Sequence, residues 1–153
     1  MKSKSNTVTN IADPRERIKM MRGAIKLLQT KEEPTFVLLG TVAAFIDGLA
    51  KPKPGKVGKK YLEYLEQHFT EMCKALGAQI FYEHIRCSII HEFGPRPPVA
   101  LGHERHDKLK GNYVGSITHD GQQYTLFNVD RFIGDFMQHL DSIGPPTQNL
   151  ALP

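Results

Sequence analysis

The chain has 153 residues, of which 40% are hydrophobic and 24% charged, with a formal net charge of +4 and a pI near 9.1. This length and composition are typical of one soluble globular domain with a single apolar core. The mild positive charge permits an anionic partner without requiring one, and no apolar run reaches the roughly 20 residues of a membrane-spanning helix.

The first half of the chain predicts a short arm and two helices. Residues 1–12 carry charges but no apolar segment, so we expect a disordered arm rather than a signal peptide. Asp13 and Pro14 are typical of a helix start, and Ile18, Met21, Ile25 and Leu28 form an apolar stripe that predicts a helix over Pro14–Thr30. The next segment, Thr35–Ala50, is apolar nearly all round, which predicts a central helix.

A lysine-rich loop separates these helices from the next two. Residues 51–60 read KPKPGKVGKK, and Lys53, Lys56 and Lys59 could contact phosphates; a solvated connector is the favoured interpretation. Apolar periodicity then predicts helices over 61–76 and from Ala78 to Glu92 or Phe93, separated by Gly77. The following GPRPP segment cannot continue a helix.

The C-terminal part predicts a hairpin and a last helix. Residues 99–111 are polar, and 103–107 within them are expected to form a flexible loop. Two β-prone runs, 113–118 and 123–127, flank an Asp-Gly pair and predict a hairpin. Asn128 caps a helix that ends at Gly144, and 145–153 is expected to be a loose tail. The fold class is therefore mainly α: a single domain over 13–144, with a bundle of four or five helices and a small hairpin before the C-terminal helix.

Cysteine usage indicates the compartment. The two cysteines, Cys73 and Cys87, both fall in predicted helices, whereas a secreted domain of this size is more often cysteine-dense. We therefore expect reduced thiols in a cytoplasmic protein. A neighbouring cation such as Arg86 could activate Cys87 as a nucleophile, but a small buried residue is the favoured interpretation.

The segment with the strongest chemical content is FYEHIRCSIIHEF in the fourth helix. Arg86 and His91 lie beside its apolar stripe, and a permanent cation near a group that titrates close to neutrality suits the handling of a phosphodiester. On a helix the two residues are separated by roughly 7.5 Å along the axis and about 140° around it. They can cooperate only if the arginine side chain curls back or a second subunit contributes its own copy.

The RCSIIHE segment resembles the arginine-x4–6-histidine motif of the HEPN superfamily, and the predicted helical order is compatible with that fold. The resemblance implies catalytic roles for Arg86 and His91 in metal-independent RNA cleavage that leaves 2′,3′-cyclic phosphate ends, with no cofactor. It also implies RNA or a nucleotide as ligand, a homodimer and, as in toxin members, an antitoxin partner. In active members the residue after the arginine is often polar; here it is Cys87.

Three other interpretations remain open. Arg86 could be a structural cation that pairs with Glu83 or Glu92, with His91 at the helix end, in a catalytically silent domain that serves as a dimer or partner module. The chain could instead be a nucleotide-binding module. Tyr82, Cys87 and Glu92 are candidates for the rim of the site in either functional interpretation.

Metal binding is the third alternative. His84 and His91 share a helix face, and His103, Glu104, His106 and Asp107 are clustered in sequence. Zinc requires three or four convergent ligands, and neither HExxH nor paired CxxC spacing is present. We therefore predict no metal site.

Overall fold

The computed structural model describes residues 13–30, 35–51, 57–92 and 94–144. The protein is mainly helical, and a small three-stranded sheet precedes the C-terminal helix. The predicted arm, the predicted tail, Lys53, Lys56 and Phe93 lie outside the described residues. The elements in chain order are α1 Pro14–Thr30, α2 Thr35–Ala50, α3 Val57–His68, α4 Thr70–Ala75, α5 Ala78–Ile80, π1 Phe81–Cys87, α6 Ser88–Glu92, β1 Val99–Gly102, β2 Val114–His119, β3 Gln122–Asn128 and α7 Val129–Ile143.

The first two helices have the predicted bounds, because their caps and apolar periodicity are local signals. Helix α2 contacts α1, α3, α6 and α7, which is the central position that its apolar sequence predicts. Its fully buried face consists of Leu39, Val42, Ala43 and Ile46. None of the described helices combines the length and the apolar character that a membrane span requires.

The prediction of one helix over 61–76 is wrong. The helix begins earlier, at Val57, and is interrupted at Phe69, whose φ of −127° and ψ of 48° are not helical. The Phe69 ring is buried, with its centroid 5.4 Å from that of Phe132 and 6.2 Å from that of Phe136 on α7. The break therefore occurs where an aromatic side chain from this segment joins the core, a long-range contact that local periodicity does not encode.

The fourth predicted helix is present as a continuous helical run over residues 78–92, in which α5, π1 and α6 follow one another without a break. The π-helical segment in its middle was not predicted. The buried Ser88 hydroxyl donates a 3.0 Å hydrogen bond to the carbonyl of Glu83, five residues earlier. Segments of π-helix occur often at functional sites, and this π-helix contains Arg86.

The sheet contains the predicted hairpin and one strand that was not predicted. Strands β2 and β3 pair antiparallel around Asp120 and Gly121, whose φ values of 48° and 74° fit a tight two-residue turn. Strand β1 pairs parallel to β3, so the strand order is β1-β3-β2. With four residues directly after the proline-rich turn, β1 is too short for a periodic signal.

Residues 99–111 were predicted to be polar, with a flexible loop at 103–107, and residues 103–107 indeed contain no helix or strand. Besides β1, the segment contains His103, whose Nδ1 lies 3.0 Å from an Asp130 oxygen and whose Nε2 lies 2.9 Å from the Thr35 hydroxyl. The Glu104 amide donates to the other Asp130 oxygen at 2.9 Å, and the Glu104 carboxylate accepts from the side chain of Asn128. Two carboxylates thus attach this polar segment to α7.

Candidate functional site

The site around Arg86 is positioned by a close approach of α2 to the 78–92 helix. A Cβ atom on Gly40 would lie only 2.8 Å from a methyl carbon of Ile89, so glycine permits the two helices to pack tightly there. Asp47 follows seven residues later and therefore lies on nearly the same face of α2, about 10 Å along its axis. At that level it meets Arg86 of π1.

Arg86 forms an ion pair with Asp47. Its Nη2 and Nε atoms donate to the same carboxylate oxygen, Asp47 Oδ2, at 2.6 Å and 3.2 Å. The side chains are only 14% and 21% exposed, so the pair is largely screened from water. The second carboxylate oxygen, Oδ1, is buried and has no hydrogen-bond partner in the described part of the chain.

Two tyrosine rings lie against the guanidinium group. The Arg86 Cζ atom is 5.7 Å from the ring centroid of Tyr61 and 5.3 Å from that of Tyr82, and the two rings are 5.4 Å apart. Cation–π attraction strengthens where water is excluded. The Tyr61 hydroxyl is also buried without a hydrogen-bond partner among the described residues. We refer to Asp47, Tyr61, Tyr82, Arg86 and Cys87 as the arginine cluster.

The electrostatics of the cluster favour the charged arginine. Burial opposes the charge, but the hydrogen bonds to Asp47 and Cys87 outweigh it and raise the pKa of Arg86. Burial raises the pKa of Tyr61 well above its ordinary value, and the Asp47 carboxylate adds to this effect. Burial likewise raises the pKa of Tyr82. The cluster therefore contains one fixed cation, one carboxylate and two neutral phenols.

Within the described part of the chain, one edge of the guanidinium group has no strong acceptor. Nε and Nη2 donate to Asp47, whereas the hydrogen-bond partner of Nη1 among these residues is the Cys87 sulfur, at 3.7 Å. Thiol sulfur is a weak acceptor compared with an oxyanion. Of the predicted rim residues, Tyr82 and Cys87 thus contact Arg86 directly.

His91 and Glu92 lie at the exposed end of the same helical run. His91 is exposed and makes no hydrogen bond within the described residues, and no direct contact joins it to Arg86. Glu92 pairs with Arg96 in the turn that follows, and this hydrogen bond lowers the pKa of Glu92. The structure therefore does not bring His91 and Glu92 to the guanidinium group within one chain.

The structural interpretation named the wrong partners for Arg86. Glu83 accepts a hydrogen bond from Gln79, and Glu92 is taken by Arg96. The arginine side chain instead reaches across to α2. Helical spacing alone identifies neighbours on the same helix, and here the partner is 39 residues away in sequence.

Of the three lysines proposed for phosphate contact, Lys59 alone lies within the described residues. Lys59 does not belong to a loop, because α3 begins at Val57, and its Nζ lies 3.9 Å from a Glu63 oxygen in an exposed pair. Such surface pairs are weak, so Lys59 remains accessible to a phosphate.

The residues considered for metal binding do not converge within the described part of the chain. Across the described ranges, no group of three or more His, Cys, Asp or Glu side chains is arranged to hold a metal ion. His84 is used differently: its Nδ1 lies 3.2 Å from the carbonyl oxygen of Arg96, whose own amide donates to the His84 carbonyl at 2.8 Å. His103 is engaged by Asp130.

Sequence reasoning missed Asp47 and Tyr61. A signal for Asp47 was present, since it is the only ionisable residue in the otherwise apolar and small-residue segment TFVLLGTVAAFIDGLA. A lone carboxylate on a central helix requires a buried partner, because an unpaired buried charge is very unfavourable. Tyr61 carried no comparable signal, because its ring also fits the apolar stripe of α3.

The chain matches no protein-family model, and neither a curated protein nor a solved structure was found that matches it.

Proposed function

We propose that this protein is a HEPN-like RNA-binding protein that cleaves RNA without a metal ion, with Arg86 and His91 as its catalytic residues. The observation that carries this proposal is a guanidinium group held by Asp47, whose Nη1 edge has, within the described residues, only a thiol as acceptor, and an exposed imidazole five residues later. Both belong to the 78–92 helical run, within the helical bundle that the RCSIIHE resemblance implies.

The chemistry follows from the two side chains. A neutral His91 imidazole would take the proton from a ribose 2′-hydroxyl, whose oxygen then attacks the adjacent phosphorus. The guanidinium group of Arg86 would stabilise the negative charge of the phosphorane. The P–O bond to the 5′-oxygen breaks, that oxygen takes up a proton, and the products are a 2′,3′-cyclic phosphate and a 5′-hydroxyl end.

A homodimer is part of the proposal. Asp47 holds the Arg86 side chain toward α2, so it does not curl toward His91 of its own chain. Residue His91 of a second subunit would complete the site if the exposed ends of the two helical runs faced each other. The exposed Ile90 beside His91 offers apolar surface for such a contact.

The setting that we propose is cytoplasmic, with RNA as the ligand and, by analogy with toxin members of the superfamily, an antitoxin protein as partner. Lys59, together with Lys53 and Lys56, would contact the RNA backbone. Replacing all three lysines with glutamine should weaken binding at low salt and reduce its salt dependence, because fewer counterions are released.

A second candidate is favoured by one specific observation. The Arg86–Asp47 pair is mostly buried, which is the environment of a structural cation in a silent interaction module. In that case the pair fixes the crossing of α2 with the 78–92 run, and His91 is a surface residue without a chemical role.

RNA cleavage in the presence of EDTA separates the two candidates. We expect a 5′-labelled single-stranded RNA to be cut by the parent protein and not by His91→Ala. The matched control is His119→Ala, which removes another exposed imidazole, on β2. Absence of cleavage by the parent, or full cleavage by His91→Ala, would remove the catalytic proposal and leave the silent module.

Arg86 requires a double variant as its test. Removing the arginine alone strands a buried carboxylate, so Asp47→Asn is combined with Arg86→Met to remove both charges together. We expect this variant to fold, as judged by circular dichroism, and to lose cleavage by at least about a hundredfold, the usual effect of losing one charge-stabilising group. Retained cleavage in a folded double variant would contradict the role of Arg86.

A further inference from the structure

An open cleft of about 430 Å³ lies between the α3–α4 junction and α7. We call it the histidine cleft. None of its lining residues belongs to the arginine cluster. Its lining includes His68, Phe69, Tyr113, Asp135, Gln138 and His139.

The cleft is walled by flat rings. The His68 ring is exposed and lies with its centroid 4.5 Å from that of His139 and 4.4 Å from that of Tyr64. Phe69 packs edge-on against His139, at 5.4 Å. An exposed imidazole packed against two further rings offers a surface on which a planar ring can stack.

The imidazole of His139 is held neutral. The Tyr64 hydroxyl lies 2.5 Å from its Nε2, within hydrogen-bond distance, and burial raises the pKa of Tyr64 to about 12, so the phenol keeps its proton near neutral pH. Burial and the neighbouring His68 lower the pKa of His139. The part of the wall formed by His139 is therefore uncharged near neutral pH and does not repel the donor groups of a neutral heterocycle.

The polar groups of the cleft are mainly acceptors. Asp135 and His139 are four residues apart on α7 and so share one face, and Asp135 accepts a hydrogen bond from the Tyr113 hydroxyl through one oxygen. A carboxylate oxygen has further lone pairs, and the amide of Gln138 can both donate and accept. Among the described residues that line the cleft there is no lysine or arginine, which disfavours a phosphate as the bound group.

We propose that the histidine cleft binds a nucleobase, stacked on His68, with the amino-bearing edge of guanine, adenine or cytosine donating to Asp135. The cleft volume suffices for a nucleoside, and stacking on rings with hydrogen bonding along the base edge is how unpaired bases are bound by proteins. Uracil, which has no exocyclic amino group, binds less tightly. This site requires neither Arg86 nor His91.

The test uses the full chain and the four ribonucleosides, which lack phosphate and cannot be cleaved. We expect guanosine, adenosine or cytidine to shift the imidazole carbon-bound proton signals of His68 and His139 in NMR titrations, with dissociation constants in about the millimolar range. His68→Ala should weaken binding at least about tenfold, whereas His68→Phe, which restores a flat ring, should retain it. Asp135→Asn should abolish the preference over uridine.

Two results would overturn the proposal: no shift of these signals by any nucleoside at about 10 mM, or equal affinity in His68→Ala and the parent. The outcome is independent of RNA cleavage. Nucleoside binding that persists in His91→Ala without any cleavage by the parent would contradict the proposed ribonuclease and support the cleft, and the reverse pattern would do the opposite.

Discussion

The arginine cluster and the histidine cleft both contain residues of α3, but they differ in whether a buried ionisable group has an opposite charge beside it. In the cluster, a mostly buried cation keeps its charge because Asp47 lies 2.6 Å away. In the cleft, no opposite charge among the described residues offsets burial, which lowers the pKa of His139 and raises that of Asp135 from its low ordinary value. The comparison teaches that burial alone does not decide the charge state of a group; the availability of an opposite charge does.

The largest expected effect comes from breaking the ion pair on one side. Asp47→Ala leaves the Arg86 guanidinium group without its counterion in a mostly buried position, and we expect a loss of about 3 kcal/mol in the free energy of unfolding, measured by urea denaturation. The control is Glu71→Ala, which breaks an exposed pair with Lys74 and should change stability far less, because water screens that pair. Similar effects of the two variants would contradict the account of the cluster.

A smaller effect on stability should distinguish two tyrosines that lie about one turn apart on α3, the buried Tyr61 and the half-buried Tyr64. Tyr64→Phe removes the hydroxyl that bonds to His139 and should cost about 1 kcal/mol in the free energy of unfolding. Tyr61→Phe removes a hydroxyl with no partner among the described residues and should leave stability unchanged or increase it. A larger loss of thermal stability in Tyr61→Phe than in Tyr64→Phe would contradict this expectation, because it would mean that the Tyr61 hydroxyl is hydrogen-bonded.

The smallest expected effect is the pH dependence of stability contributed by His139. Because its pKa is lower in the folded protein than the ordinary 6.5, the unfolded chain binds more protons between the two values. The contribution of His139 to stability is therefore complete above pH 6.5 and is lost as the pH falls through the folded pKa. His139→Gln should flatten the decline in stability below pH 6.5; an unchanged decline would contradict a lowered pKa.

Local signals in the sequence predicted much of the fold. The bounds of α1 and α2, the 78–92 run, the hairpin and the Asn128 cap all follow from periodicity and capping within a few residues. The Asn128 side chain accepts from the Arg131 amide at 3.2 Å, as a helix cap should. Features that depend on distant parts of the chain were missed, among them the break at Phe69 and strand β1.

The sequence indicated the neighbours of Arg86 on its own helix but not its partner on α2. The sequence grouped Tyr82, Arg86 and Cys87 because they are neighbours on one predicted helix, and in the structure Tyr82 and Cys87 both contact Arg86. The sequence could not reveal that Asp47 holds the guanidinium group, since that contact depends on how α2 crosses the 78–92 run. For the same reason it gave no indication of the histidine cleft, where α3, α4 and α7 meet.

The most direct test of the central proposal, that Arg86 of one subunit acts with His91 of another, is complementation between two inactive variants. The Asp47→Asn/Arg86→Met protein retains His91, and the His91→Ala protein retains Arg86, so a mixed dimer contains one complete site. We predict that mixing the two proteins in EDTA restores RNA cleavage to a fraction of the parent rate, with 2′,3′-cyclic phosphate ends. A mixture that forms dimers yet stays inactive, while the parent protein cuts the same RNA, would contradict the account.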